Sequence, residues 1–100
     1  MQVCNISFQI EPGVEMLWKE WMKSQYIPGT MALACFSDYR FYQLEVDNTQ
    51  APTYTLQLFT EKADDLALYR AQYEAERLSA LNATWGEQCF YFSSFMQIVN

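Results

Sequence analysis

The chain has 100 residues and a mass of 11.8 kDa, with 51% hydrophobic, 17% aromatic and 18% charged residues. This is the composition of one domain, residues 1–100, with a core of its own, and it is too apolar for intrinsic disorder. Twelve acidic residues against six basic ones leave a net charge of −6, which argues against a nucleic-acid surface because phosphate contacts need a basic face. No apolar run reaches the length of a membrane span, and Met1-Gln2-Val3-Cys4 lacks the basic start and apolar stretch of a signal peptide. The expectation is a cytoplasmic protein without membrane contact.

Residues 2 to 10 alternate, with Cys4, Ile6, Phe8 and Ile10 on one parity and Val3, Asn5, Ser7 and Gln9 on the other. That pattern predicts a strand with one apolar face. Glu11-Pro12-Gly13 interrupts it, and Pro12 suits the first turn of a helix, where its missing N–H costs nothing. Val14, Leu17, Trp18, Trp21 and Met22 then recur at helical spacing and predict a core-facing stripe. Ile27-Pro28-Gly29 is expected to end this helix, since the residue before proline is pushed away from helical geometry. Residues 33 to 47 carry Cys35, Phe36, Tyr39, Phe41, Tyr42, Leu44 and Val46 and predict a long second strand. The turn-prone stretch Asp47-Asn48-Thr49-Gln50-Ala51-Pro52 leads to an alternating third strand from Thr53 to Thr60, completing a hairpin. Thr60 is expected to cap a second helix with Asp64 and Asp65 in its first turn and Leu66, Tyr69, Tyr73, Leu78 and Leu81 on its apolar face. Trp85-Gly86 marks its end, and residues 88 to 99 predict a fourth strand.

The order is β-α-β-β-α-β, an α+β chain of the ferredoxin-like split βαβ type. Right-handed crossovers put strands 1 and 3 in the centre of an antiparallel sheet, strands 2 and 4 at its edges and both helices on one face. Val3, Asn5, Ser7, Gln9, Thr53, Thr55, Gln57 and Phe59 then face away from the helices, and none is charged. An open sheet face ordinarily carries charge, so a cover is expected. The economical cover is a second copy laid sheet against sheet, as in a dimeric α+β barrel. Charge is confined to strand 2, at Asp38, Arg40, Glu45 and Asp47, where it deters unwanted edge pairing. The neutral set Asn5, Ser7, Gln9, Thr55 and Gln57, with Tyr91 and Phe95 beside it, suits the lining of a cavity between two such sheets; a tightly packed interface without a ligand is the plainer alternative.

The absence of histidine excludes the ordinary serine and cysteine triads and histidine-ligated zinc and haem. No metal and no cofactor is expected. Cys4, Cys35 and Cys89 form no Cys-x-x-Cys pair, and Cys4 and Cys89 read as buried thiols rather than nucleophiles. Asp64-Asp65 is explained by its place at a helix start. Glu11, Glu15 and Glu20 read as a solvated helix side. Arg40, the sole basic residue of the predicted sheet, pairs with a carboxylate such as Asp38 or Glu45, or faces a ligand. Tyr26 sits at a predicted helix exit from which its hydroxyl reaches a cleft. The candidate ligand-binding set is therefore Asn5, Ser7, Tyr26, Arg40, Gln57 and Tyr91. An RNA-binding use of the sheet is disfavoured by the acidic balance and by the missing basic aromatic motif on strand 3.

Asn5 and Phe8, Glu11-Pro12, Trp18, Trp21-Met22, Ile27-Pro28, Met31, Phe36, Tyr54, Trp85-Gly86, Phe90 and Phe92 together resemble a family of uncharacterised small bacterial proteins of the dimeric α+β barrel, ferredoxin-like group. The resemblance implies the fold rather than an activity. Members of that family tend to have a histidine where this chain has Tyr26 and an arginine where it has Ser93. The wider barrel group includes cofactor-free monooxygenases and haem-degrading enzymes; of the asparagine, tryptophan and histidine of the latter, only Asn5 has a counterpart in a matching element. The leading expectation is a homodimeric binding protein for a small apolar or aromatic ligand. The alternatives are a cofactor-independent monooxygenase-like enzyme acting on a small aromatic or lipophilic substrate, and an adaptor working through its edge strands near Tyr39 and Phe41.

Overall fold

A computed structural model describes residues 1–45, 47 and 51–99. Strand β1 (Gln2–Ile10) and strand β3 (Thr53–Thr60) have the bounds their alternation predicts. They pair antiparallel at the centre of a four-stranded sheet of order β2-β3-β1-β4. The even-numbered residues of both, Cys4, Ile6, Phe8, Ile10, Tyr54, Leu56, Leu58 and Thr60, are buried. The core lies between this side of the sheet and two helical rods, and Trp18 is its hub, with ring centroids 5.2 Å from Phe8, 5.0 Å from Tyr54 and 5.9 Å from Phe41.

The first rod departs from expectation. A 3-10 turn (Pro12–Val14) leads into α1 (Glu15–Trp21), a π-turn (Met22–Tyr26) and α2 (Ile27–Met31), so Ile27-Pro28-Gly29 continues the helix instead of ending it. Proline has no N–H to give, and the π-turn shifts the ladder so that the Ile27 N–H bonds Met22 O. The Tyr26 carbonyl is taken up by side chains, the Thr30 hydroxyl at 3.0 Å and Arg77 Nη2 at 2.7 Å. Gly29 is required here, because a Cβ would stand 3.1 Å from Arg77 Nη2. The predicted stripe also loses one member: Trp18 and Met22 are buried, whereas Leu17 is 70% exposed. Seven α-helical residues ahead of the π-turn leave room for only a narrow buried face.

The second rod runs through α3 (Ala63–Leu68), a π-turn (Tyr69–Tyr73) and α4 (Glu74–Trp85). It buries Leu66, Tyr69 and Leu81. Thr60 does not cap it: its hydroxyl accepts from the Lys62 N–H at 3.2 Å, a turn just before the helix, and Lys62 itself stands at the cap position. Gly86 ends α4 at φ 55° and ψ −130°, a conformation that glycine tolerates and other residues rarely adopt.

Strand β2 (Asp38–Gln43) is shorter than expected. Cys35 and Phe36 imitate a strand in composition but plug the core from the connection that follows α2. Phe36 stands 4.9 Å from the Tyr69 ring. Glu45 and Asp47 follow β2 rather than belonging to it, and Val46, Asn48, Thr49 and Gln50 of the predicted hairpin lie outside the described residues. Strand β4 (Cys89–Gln97) pairs with β1 and leaves its other edge unpaired in the protomer.

Candidate functional site

Side chains alternate across a strand, so the pairing register decides which residues share a face. On the side away from the rods, neighbouring residues form rows across all four strands: Asp38, Phe59, Val3 and Met96; Arg40, Gln57, Asn5 and Ser94; Tyr42, Thr55, Ser7 and Phe92. The middle row is polar throughout. The rows beside it end in Met96 and Phe92 on β4, which are 42% and 57% exposed, and Phe90 further along β4 is 63% exposed. Strands β1, β3 and β4 carry no charged residue. The face therefore has a band of carboxamides and hydroxyls, apolar ground around it and a β4 margin of exposed apolar side chains.

Its charge is a single neutral pair. Arg40 Nη1 donates to Asp38 Oδ2 at 2.7 Å, and Arg40 also stands over the Phe59 ring, 5.9 Å from its centroid. The guanidinium bond, aided by the Tyr39 N–H, holds the Asp38 carboxyl below its ordinary value. Asn5, Ser7, Arg40 and Gln57 of the candidate set are thus brought together on the open face, along two adjacent rows.

Tyr26 and Tyr91 do not join them. The same register carries Tyr91 and Phe95 to the helix side, where Tyr91 pairs across from Phe8 and Phe95 from Cys4. The Tyr91 hydroxyl donates to Leu78 O at 3.5 Å, and Arg70 lies 3.9 Å above the Phe95 ring. Tyr26 is 3% exposed inside the core, with the Arg77 guanidinium 4.6 Å from its ring. Burial pushes the Tyr26 phenol up to about 12, with Arg77 opposing the shift and Cys4, Tyr91 and Cys89 adding to it. Burial likewise raises the Cys4 thiol to about 12 and the Cys89 thiol to about 11. These thiols are free, buried and protonated, the opposite of a reactive cysteine.

Two polar contacts carry no signal in the sequence. Glu15, read as part of a solvated helix side, accepts a 2.6 Å hydrogen bond from the Tyr54 hydroxyl. Arg77 clamps the two rods by donating to Tyr26 O and to Thr30 Oγ1 at 2.9 Å. Neither pairing has a local spacing that predicts it. Among the described residues no group of three or more histidine, cysteine, aspartate or glutamate side chains is placed to hold a metal ion. No described helix is long and apolar enough to cross a membrane.

An antiparallel sheet of order β2-β3-β1-β4 with helical rods on one face and the other face bare defines a protein of the ferredoxin-like α+β class. The chain belongs to the family described as Domain of unknown function (DUF4286), whose model matches residues 1–99. No curated protein matches it. Three similar solved structures agree with the fold. An ethyl tert-butyl ether d (ethd) family protein from Bacillus halodurans is 11% identical with a TM-score of 0.69, over 98% of this chain and 100% of that one. A protein described as an antibiotic biosynthesis monooxygenase is 13% identical with a TM-score of 0.63, over 100% of both chains. A dimeric ferredoxin-like protein of unknown function from Jannaschia sp. is 16% identical with a TM-score of 0.55, over 96% of this chain and 99% of that one. At such identities the likeness is one of fold.

Proposed function

We propose that the chain works as a cytoplasmic homodimer whose open sheet faces close on one another and hold a small apolar or aromatic ligand between them. The observation that carries this reading is the row pattern of the open face, a neutral polar band bounded by Phe90, Phe92 and Met96, on a chain whose net charge is −6. Acidic chains repel, and two copies of this one approach most easily through a face whose only charges cancel. The dimeric description of the Jannaschia protein supports the same arrangement. Three free, buried cysteines suit a reducing compartment. Asn5, Ser7 and Gln57, with Arg40 at one end of their band, are the groups offered to a ligand's polar atoms, one band from each protomer. Size-exclusion chromatography with light scattering is expected to give twice the 11.8 kDa protomer mass; a monomer at micromolar concentration overturns the proposal.

A monooxygenase-like reading of the same cavity takes its support from the antibiotic biosynthesis monooxygenase among the similar structures. It is the weaker of the two on chemical grounds. The open face presents carboxamides and hydroxyls, and its strand carboxylate, Asp38, is engaged by Arg40 at 2.7 Å, which leaves it poorly placed as a general base.

A further inference from the structure

Tyr26 is 3% exposed, and among the described residues its hydroxyl has no hydrogen-bond partner. The buried indole N–H of Trp85 has none either. The two side chains belong to one aromatic cluster, because the Trp21 ring lies 5.4 Å from Tyr26 and 5.8 Å from Trp85. A buried donor left unpaired costs more than an ordinary hydrogen bond gains. Two of them in one cluster call for an acceptor from outside the chain.

Next to this cluster a cavity of about 460 Å³ opens where α4 gives way to β4, lined by Asn82, Gly86, Glu87, Cys89, Phe90 and Tyr91. Gly86 directly follows Trp85 and leaves open space where a side chain would begin. Cys89 is the buried wall, and Cys89 and Tyr91 are the same two lining residues whose polar groups act on the Tyr26 hydroxyl. All of these residues lie on the helix side or at the end of the sheet, apart from Phe90, whose strand position belongs to the open face.

We propose that this cavity is a small-molecule site within each protomer, separate from the space between the sheets, and that it takes an uncharged aromatic molecule of one or two rings whose carbonyl, ether or hydroxyl oxygen accepts from the Tyr26 hydroxyl. Its volume lies in the range of small-molecule pockets. Phe90 and Tyr91 supply flat apolar walls. Glu87 at the rim and the net charge of −6 turn anions away. The Tyr26 phenol keeps its proton at neutral pH and is a permanent donor.

The test is a titration of isotope-labelled protein, followed by amide chemical shifts, with three probes of similar size: acetophenone, ethylbenzene and benzoate. Acetophenone is expected to shift the amides of Asn82, Gly86, Glu87, Cys89 and Tyr91 saturably, ethylbenzene roughly tenfold more weakly for want of an acceptor, and benzoate not at all. Tyr26→Phe removes a hydroxyl that has no partner in the protomer, so it is expected to fold normally and to bind acetophenone no better than ethylbenzene. Should that variant fail to fold, Asn82→Trp at an exposed helix position obstructs the mouth and is expected to abolish the acetophenone shifts. The same shifts are expected in a monomeric Phe92→Lys variant, which separates this site from the inter-sheet space. The proposal is overturned if acetophenone and ethylbenzene bind the wild type equally. It is equally overturned if the shifts centre on Asn5, Ser7 and Gln57, if Asn82→Trp leaves them unchanged, or if no saturable shift appears up to about 10 mM probe.

Discussion

The two faces of the sheet are built from the same four strands and obey opposite rules. The covered face is filled by Ile6, Phe8, Tyr54, Leu56, Leu58 and the Trp18 hub, with its polar groups, the Tyr26, Tyr69 and Tyr91 hydroxyls and the Cys4 and Cys89 thiols, all held uncharged. The open face puts neutral polar groups at its centre and large apolar ones along the β4 margin. A protomer core is sealed by packing, whereas the open face has the apolar exposure of a surface meant to be covered after folding. The difference teaches that burial in this chain is completed in two stages, and each stage can be perturbed without the other.

The largest effect is expected on the covered face. Trp18→Ala removes a fully buried ring that touches Phe8, Phe41 and Tyr54 and should cost about 3–5 kcal/mol in urea unfolding, a large share of a small domain's stability. Phe92→Lys, at an exposed position of the open face, should leave protomer unfolding within about 0.5 kcal/mol of wild type when compared in the monomeric state, while halving the mass seen by light scattering. A stable dimer in that variant would break the comparison.

Alkaline titration sharpens the comparison further. The Cys4 and Cys89 thiols move from 9.0 up to about 12 and about 11, and the Tyr26 phenol from 10.0 up to about 12. Above pH 9 the unfolded chain releases protons that the folded chain retains, so stability present in full below pH 9 declines as the pH climbs toward the folded values. Each group contributes at most about 1.4 kcal/mol per pH unit within its window. Urea midpoints measured between about pH 8 and 11 should therefore fall, and a Cys4→Ala, Cys89→Ala variant should show a shallower decline. The smallest effect belongs to Arg40→Ala. Its partner pair is solvent-exposed, and a melting temperature indistinguishable from wild type is expected for the protomer.

Strands β1 and β3 were legible to the residue because one parity is apolar and the other neutral polar. The open face followed from them, and so did the grouping of Asn5, Ser7 and Gln57. Strand β4 resisted the same reading, since Phe90, Phe92 and Met96 on one parity are as apolar as Tyr91 and Phe95 on the other. Only its pairing with β1 reveals that Tyr91 lies beneath the rods. Tyr26 was misplaced for another reason: Pro28 is a local helix-ending signal, and it is overruled by contacts from Arg77, 51 residues away in sequence. Propensity is a local property, and such long-range satisfaction of a backbone carbonyl leaves no trace in it.

The π-turn at Met22–Tyr26 fits one more residue into the rod than a regular ladder would hold. Deleting any single residue there would restore an ordinary helix and swing everything after it by about 100°. Tyr26, Ile27 and Thr30 would rotate out of the interior together, and Arg77 would lose the carbonyl it grips. The length of that short stretch is therefore more tightly constrained than its composition, and homologous chains that retain the two-rod clamp should vary in its letters while keeping its count.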